Sequence, residues 1–234
     1  SEDEGEIFVS CAGGRSTHAV FHFEKEDAPA GHFFLEISVK GLTGGHSGDD
    51  INKKRANAIK LLSRFIYLEQ EKYDVRLASF NSGKLHNAIP RDGRVVMAVP
   101  NDVEENVRAD WNVFAHNVAD EFHVTDTAME FAMESANAEK VLPSDVSRRL
   151  IMALQGLTNG IFAICQDPAL GGMVETSSNI AVVKTTDTTV VLLASQRSNV
   201  MSNLDNQCCC SRAETCWSRS GTNRRLPRLA NESE

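Results

Sequence analysis

The sequence predicts an α+β fold, on three observations. "HFFLEISVKG" (32–41) alternates, with Phe33, Leu35, Ile37 and Val39 on one face and Phe34, Glu36 and Ser38 on the other. Two segments, 51–70 and the stretch from Asp102 to Phe122, repeat apolar residues every three or four positions. Between them lie two short runs rich in strand formers, "VRLASF" (75–80) and "RVVMAVP" (94–100). Period two marks half-buried strands and period 3.6 marks amphipathic helices. From residue 33 the order is β-α-β-β-α-β, which is the ferredoxin-like pattern: an antiparallel four-stranded sheet with two helices on one face.

Each element has its own signal. In the first helix Ala58, Ile59, Leu62, Phe65 and Ile66 form the apolar stripe, and Asp49 or Asp50 is placed to cap its start. "NSGKLHNAIPRDG" (81–93) is a turn-rich connection. The second helix carries Val103, Val107, Trp111, Phe114, Val118 and Phe122 inward, and Asp102 and Glu105 have capping-box spacing. "AMEFAMES" (128–135) alternates again, with Met129, Phe131 and Met133 on one face. A second, incomplete α/β unit starts near Pro143. Ser144 to Leu157 is a helix with Val146, Leu150, Ala153, Leu154 and Leu157 inward, and "SNIAVVKTT" and "TTVVLLAS" form a hairpin around Asp187.

Composition is that of a globular chain: 234 residues, 41% hydrophobic and 24% charged. A net charge of -8 argues against nucleic acid as a partner. No apolar run approaches the roughly 20 residues of a membrane-spanning helix. Cys11 and Cys165 stand alone, as isolated thiols do in a reducing cytosol, whereas Cys208, Cys209, Cys210 and Cys216 crowd the end. Residues 207–234 hold five Arg against three acids and show no apolar periodicity. Three adjacent cysteines without a CxxC pair are a poor tetrahedral zinc set, so this tail is expected to be disordered or non-native. The opening "SEDEGE" lacks a Met and reads as the middle of a longer protein. Its acids could bind a divalent cation, but terminal acidic clusters are ordinarily solvated.

Three residues stand out for chemistry. His46, in "GLTGGHSGDD", is flanked by Gly44, Gly45 and Gly48. Glycines allow backbone and imidazole to approach a ligand closely, and the expected helix start beyond favours negative charge. The ring is then a donor to a carboxylate or a developing oxyanion, or else part of a surface loop. Asn87, in "LHNAIPR", either binds a carboxylate or caps a turn before Pro90. Arg197, in "ASQRSN", ends a strand and either clamps a carboxylate bidentately or is a solvated charge.

Taken together, "SEDEGEIFVSCAGG", "VKGLTGGHSGDDI", "LHNAIPR", "GGMVETSSNIAVV" and "SQRS" resemble, in order and spacing, landmarks of the aminoacyl-histidine dipeptidases. These are also called Xaa-His or cytosol non-specific dipeptidases and are dinuclear zinc peptidases. The resemblance runs from residue 1 to about 206. It implies a cytoplasmic enzyme with a catalytic domain that binds two zinc ions and an inserted lid domain with ferredoxin-like halves. The chain looks like that lid: residues 1–17 a remnant of the junction with the catalytic domain, 18–136 the ferredoxin-like unit, 137–206 the second unit, and 207–234 a tail foreign to the family.

No position of this chain matches a family metal ligand, so zinc is expected in the parent enzyme and not in this fragment, which should be inactive alone. The resemblance assigns His46 to stabilising the tetrahedral intermediate, and Asn87 and Arg197 to the substrate's C-terminal carboxylate. The implied partners are a dipeptide, the missing catalytic domain and a second copy in a homodimer. The competing reading is a non-catalytic ferredoxin-like module that binds a small ligand or dimerises, because fold alone does not fix function.

Overall fold

The computed structural model describes residues 12–168 and 171–217. Its centre is one eight-stranded sheet. The strands are β1 (Gly13–His22), β3 (His32–Lys40), β5 (Arg76–Ser82), β7 (Gly93–Pro100), β8 (Glu130–Ser135), β10 (Gly160–Ile164), β11 (Val174–Thr185) and β12 (Thr189–Ser198). Two short pairs stand outside it, β2 (Glu26–Asp27) with β9 (Lys140–Val141) and β4 (Gly45–His46) with β6 (Ala88–Ile89). The helices are α1 (Ala58–Gln70), α2 (Glu104–Glu121), α3 (Ser144–Gly156) and α4 (Met201–Trp217).

The first unit forms as its periodicity requires. Its strands run β8-β3-β7-β5, all antiparallel, with α1 and α2 between them in the chain. Leu35, Ile37 and Val39 of β3 are buried, as are the five stripe residues of α1. Phe65 of α1 meets Trp111 of α2 edge-on at 4.8 Å, and Phe114 closes the cluster at 5.3 Å from Phe65. Aromatic pairs in this geometry are worth about 0.5–1.5 kcal/mol beyond the area they bury.

The second unit is fuller than the sequence suggests. β11 and β12 pair as the expected hairpin, and β12 pairs along its whole length with β1, from Gly13↔Ser198 to His22↔Thr189. β1 thus crosses the expected boundary at residues 17 and 18 and serves as the first strand of the second unit. The two units share one sheet, because β11 pairs with β5 at Val183↔Ser82 and Lys184↔Asn81. The helices lie in a row, α1 touching both α2 and α3, and α3 touching α4. The order β1-β12-β11 with α3 and α4 repeats the first unit's β3-β7-β5 with α1 and α2. The two halves thus repeat one strand order and meet at the β5–β11 pairing.

Three local expectations are corrected. The helix expected over 51–70 is split into a 3-10 turn, Ile51–Lys53, a left-handed Lys54 at φ 51°, and α1 from Ala58. Its cap is Asn57, whose side chain accepts from the N–H groups of Ile59 and Lys60, because Asp50 is already engaged in the loop before it. The Asp102–Glu105 capping box does not form. A 3-10 turn, Asn101–Val103, precedes α2, and no side chain caps either. Residues 207–217 of the expected disordered tail continue α4, with Leu204, Gln207 and Ser211 buried against β1, β12 and α3. That helix has no apolar stripe, which is why periodicity misses it. Residues 218–234 and 1–11 lie outside the described residues.

Candidate functional site

Beyond β3 the chain turns at Gly41, held at φ 75°, and enters the loop that carries His46. Gly44 and Gly45 are needed there for packing as much as for turning. Gly44 sits at φ 63°, and a Cβ on it would lie 2.2 Å from Arg91 Cγ. Gly45 sits at φ 134°, and a Cβ would lie 2.3 Å from Arg55 Nη1 and 2.4 Å from Asp50 Oδ2. Only glycine fits such a backbone without strain. Arg55 uses that space to donate to Gly44 O at 2.5 Å and to approach Asp50 Oδ1 at 3.3 Å. Asp50 accepts from His46 N at 2.8 Å and from Lys53 Nζ at 2.6 Å. The Lys53 ammonium, helped by the His46 N–H and Arg55, holds the Asp50 carboxyl below the usual carboxylate range against the opposing effect of burial. The backbone of His46 is thus pinned by an ionised side chain four residues on.

The expected helix N-terminus beside His46 is not there, since α1 begins only at Ala58. What lies beside His46 is the Asn87 segment. β4 pairs with β6 at Gly45↔Ile89 and His46↔Ala88, and Ser47 N donates to Asn87 O at 2.8 Å. Arg197 comes from the other half, on β12, with Ser177 of β11 and Gly14 of β1 as its register partners. Gly48 brings it to His46: a Cβ there would lie 3.3 Å from His46 Cε1 and 3.4 Å from Arg197 Cδ and Nε. The fold therefore brings all three sequence-predicted residues together.

Their polar ends are free. His46 Nδ1 lies 2.8 Å from Asp49 Oδ2 and 3.3 Å from Asp49 N. Nε2 has no protein partner among the described residues. Arg197 Nε is buried without a hydrogen bond, and no described residue pairs with its guanidinium. The side-chain amide of half-buried Asn87 is likewise unpaired among the described residues. Buried polar groups are rarely left without partners, so the Arg197 Nε beside Gly48 is a donor open to a ligand or a water.

A buried amide network that sequence reasoning missed holds these pieces in register. Asn57 Nδ2 donates to Ile180 O at 2.9 Å and Asn159 Oδ1 at 3.0 Å, with Asn179 Oδ1 at 3.3 Å. Asn179 Nδ2 donates to Ala88 O at 2.9 Å, next to Asn87. "RANAIK" and "SSNIA" carried the only signal, an Asn in place to cap a helix and a polar residue inside an apolar strand. Asn57→Ala removes a cap worth about 1 kcal/mol and strands buried acceptors at about 1–3 kcal/mol. The expected result is a thermal midpoint lower by roughly 5–10 °C, read by calorimetry.

No group of three or more His, Cys, Asp or Glu among the described residues could hold a metal ion. The described residues do not fit a zinc centre. A groove of about 690 Å³ lies elsewhere on the sheet, lined by Glu36, Lys40, Asn81, Arg94 and Lys184 among others.

The peptidase dimerisation domain of the M20 peptidases matches residues 37–126, a span that includes His46 and Asn87. The cytosol non-specific dipeptidase of Escherichia coli (strain K12) is 35% identical over 206 residues, covering 88% of this chain and 42% of that protein. The crystal structure of aminoacylhistidine dipeptidase from Vibrio alginolyticus superposes with a TM-score of 0.88 at 30% identity, covering 99% of this chain and 45% of that one. The chain thus spans less than half the length of either relative. By sequence and by fold, the chain carries a peptidase dimerisation domain and is similar, along most of its own length, to the aminoacylhistidine and cytosol non-specific dipeptidases.

Proposed function

We propose that this chain is the substrate-clamping lid of a zinc dipeptidase that hydrolyses Xaa-His and other dipeptides in the cytosol. The observation that carries the reading is the meeting at Gly48 of the His46 ring and the Arg197 side chain, whose buried Nε has no hydrogen-bond partner, on a loop whose backbone is tied to Asn87. A dipeptidase must recognise a free carboxylate a fixed distance from one peptide bond. Arg197 supplies charge and a planar fork of donors for that carboxylate, and Asn87 adds neutral donors. His46 Nε2–H donates to the carbonyl oxygen as negative charge develops on it. Zinc bound in a full-length enzyme would supply an activated water, and none of the residues named here would hold it. The dimerisation-domain match supports a homodimer as the assembled form.

The test compares this chain with a version extended at both ends to the length of its relatives, each assayed with zinc on an Xaa-His dipeptide. Hydrolysis by the extended protein and none by this chain is the expected result. Turnover by this chain alone, or none by a folded, zinc-loaded extended protein, overturns the reading and leaves a binding module.

A further inference from the structure

We propose that Asp126 is a positioning residue for His46: it closes the base of the His46 loop from outside the loop. Asp126 lies in the connector between α2 and β8, far in sequence from His46, and is 3% exposed. Its Oδ1 accepts from Thr43 N at 2.8 Å, and its Oδ2 accepts from Ala56 N at 2.9 Å and from Thr125 Oγ1 at 2.9 Å. Thr43 and Ala56 are the two ends of the loop that contains His46. One carboxylate therefore bridges entry and exit, and no cation pairs with it among the described residues. Thr43 Oγ1 donates in turn to Thr125 O at 2.6 Å. Gly41 lets the connector come close, since a Cβ there would lie 2.0 Å from Ala128 O.

The chemistry requires a carboxylate. Two backbone N–H groups approach the two oxygens, and an amide presents only one acceptor. In Asp126→Asn one loop end faces an NH2 group instead, and a buried N–H is left unpaired. The loop keeps its ties through Asp50, Arg55 and the β4–β6 pairing but loses the single bridge that fixes its entry and exit to each other. His46 Nε2 then samples positions away from the carbonyl oxygen, and a donor displaced by an ångström loses much of its effect.

This inference rests on the reading of His46 given above, and the experiment separates the two. In the extended dipeptidase, Asp126→Asn is expected to lower kcat about 10-fold with KM within about twofold. Thr125→Val, which removes the hydroxyl that donates to Asp126 Oδ2 at 2.9 Å and lies 3.4 Å from Lys54 O, is expected to lower kcat about 2- to 3-fold and serves if Asp126→Asn fails to fold. In a His46→Ala background neither change should lower kcat further, since a positioning residue has nothing left to position. The proposal is overturned if kcat is unchanged in the parent background, or if the same loss persists without His46, which is the signature of a general structural role. Should His46→Ala itself leave kcat intact, the reading of His46 fails, and Asp126 is judged by amide exchange on the present chain. There Asp126→Asn should speed exchange of the Thr43 and Ala56 amides, and unchanged exchange overturns the tether itself.

Discussion

In the protein extended to the length of its relatives, His46→Ala is expected to lower kcat by about 100-fold or more while KM stays within a few-fold. The size follows from the timing of the interaction. A hydrogen bond to the carbonyl oxygen is weak while the substrate is neutral and strengthens as the oxygen gains charge, and removing one such donor typically costs about 10²–10³ in turnover. An interaction gained only in the transition state appears in kcat and kcat/KM together, not in KM. Asp50 holds His46 through its backbone N–H, and β4 pairs with β6 through the main chain, so alanine removes the ring's contact with Asp49 but leaves these backbone ties in place. Stopped-flow or steady-state assay on an Xaa-His dipeptide checks it, with zinc content measured in parallel. Near-normal kcat would make the glycine-flanked histidine a turn residue.

The parts of the fold legible in the sequence are those where one face alone decides the pattern. β3, α2 and α3 each bury one side, and their apolar spacing locates them; the β11–β12 hairpin is located by its apolar runs on either side of Asp187. The start of α1 was not legible. Asp49 and Asp50 look like caps, but Asp50 is drawn back to His46 N and Lys53, and the helix waits for Asn57. β1 was not legible because its partner β12 lies near the other end of the chain, and a strand with such a remote partner announces itself only through its own alternation. α4 escaped because Gln207 and Ser211 replace apolar residues on its buried side. Within the site, the glycines around His46 were visible, but their reason was not. Gly44 and Gly45 make room for Arg91, Arg55 and Asp50, in addition to freeing the ring. Nothing local could show that Arg197 reaches His46 across Gly48, since that depends on the register of β12 against β11 and β1. Asp126, in "VTDTAM", reads as an ordinary polar turn, and its two long-range backbone contacts exist only in the folded chain.

The other large effect is expected at Arg197, and its signature is the opposite of that at His46. The guanidinium would hold the substrate's carboxylate before, during and after bond breaking, so its loss is a loss of uniform binding. Charge-assisted hydrogen bonds are worth about 1.5–3 kcal/mol, which sets the expected rise in KM for Arg197→Ala at roughly 10- to 100-fold. The sharper reading is specificity. The intact protein should strongly prefer a free dipeptide over its C-terminal amide, because the amide cannot pair with the guanidinium and leaves it desolvated without a partner. In Arg197→Ala that preference should largely vanish, as both substrates then meet a neutral site. Arg197→Lys should recover only part of it, since an ammonium restores charge but not the two parallel donors that fit a carboxylate. Zinc content and thermal midpoint should stay close to normal, because the described residues make no hydrogen bond to Arg197's side chain that its removal would break. The measurement is the ratio of kcat/KM for the two substrates in each variant. An unchanged ratio in Arg197→Ala would place the carboxylate elsewhere and leave the unpaired guanidinium beside His46 without the role argued for it here.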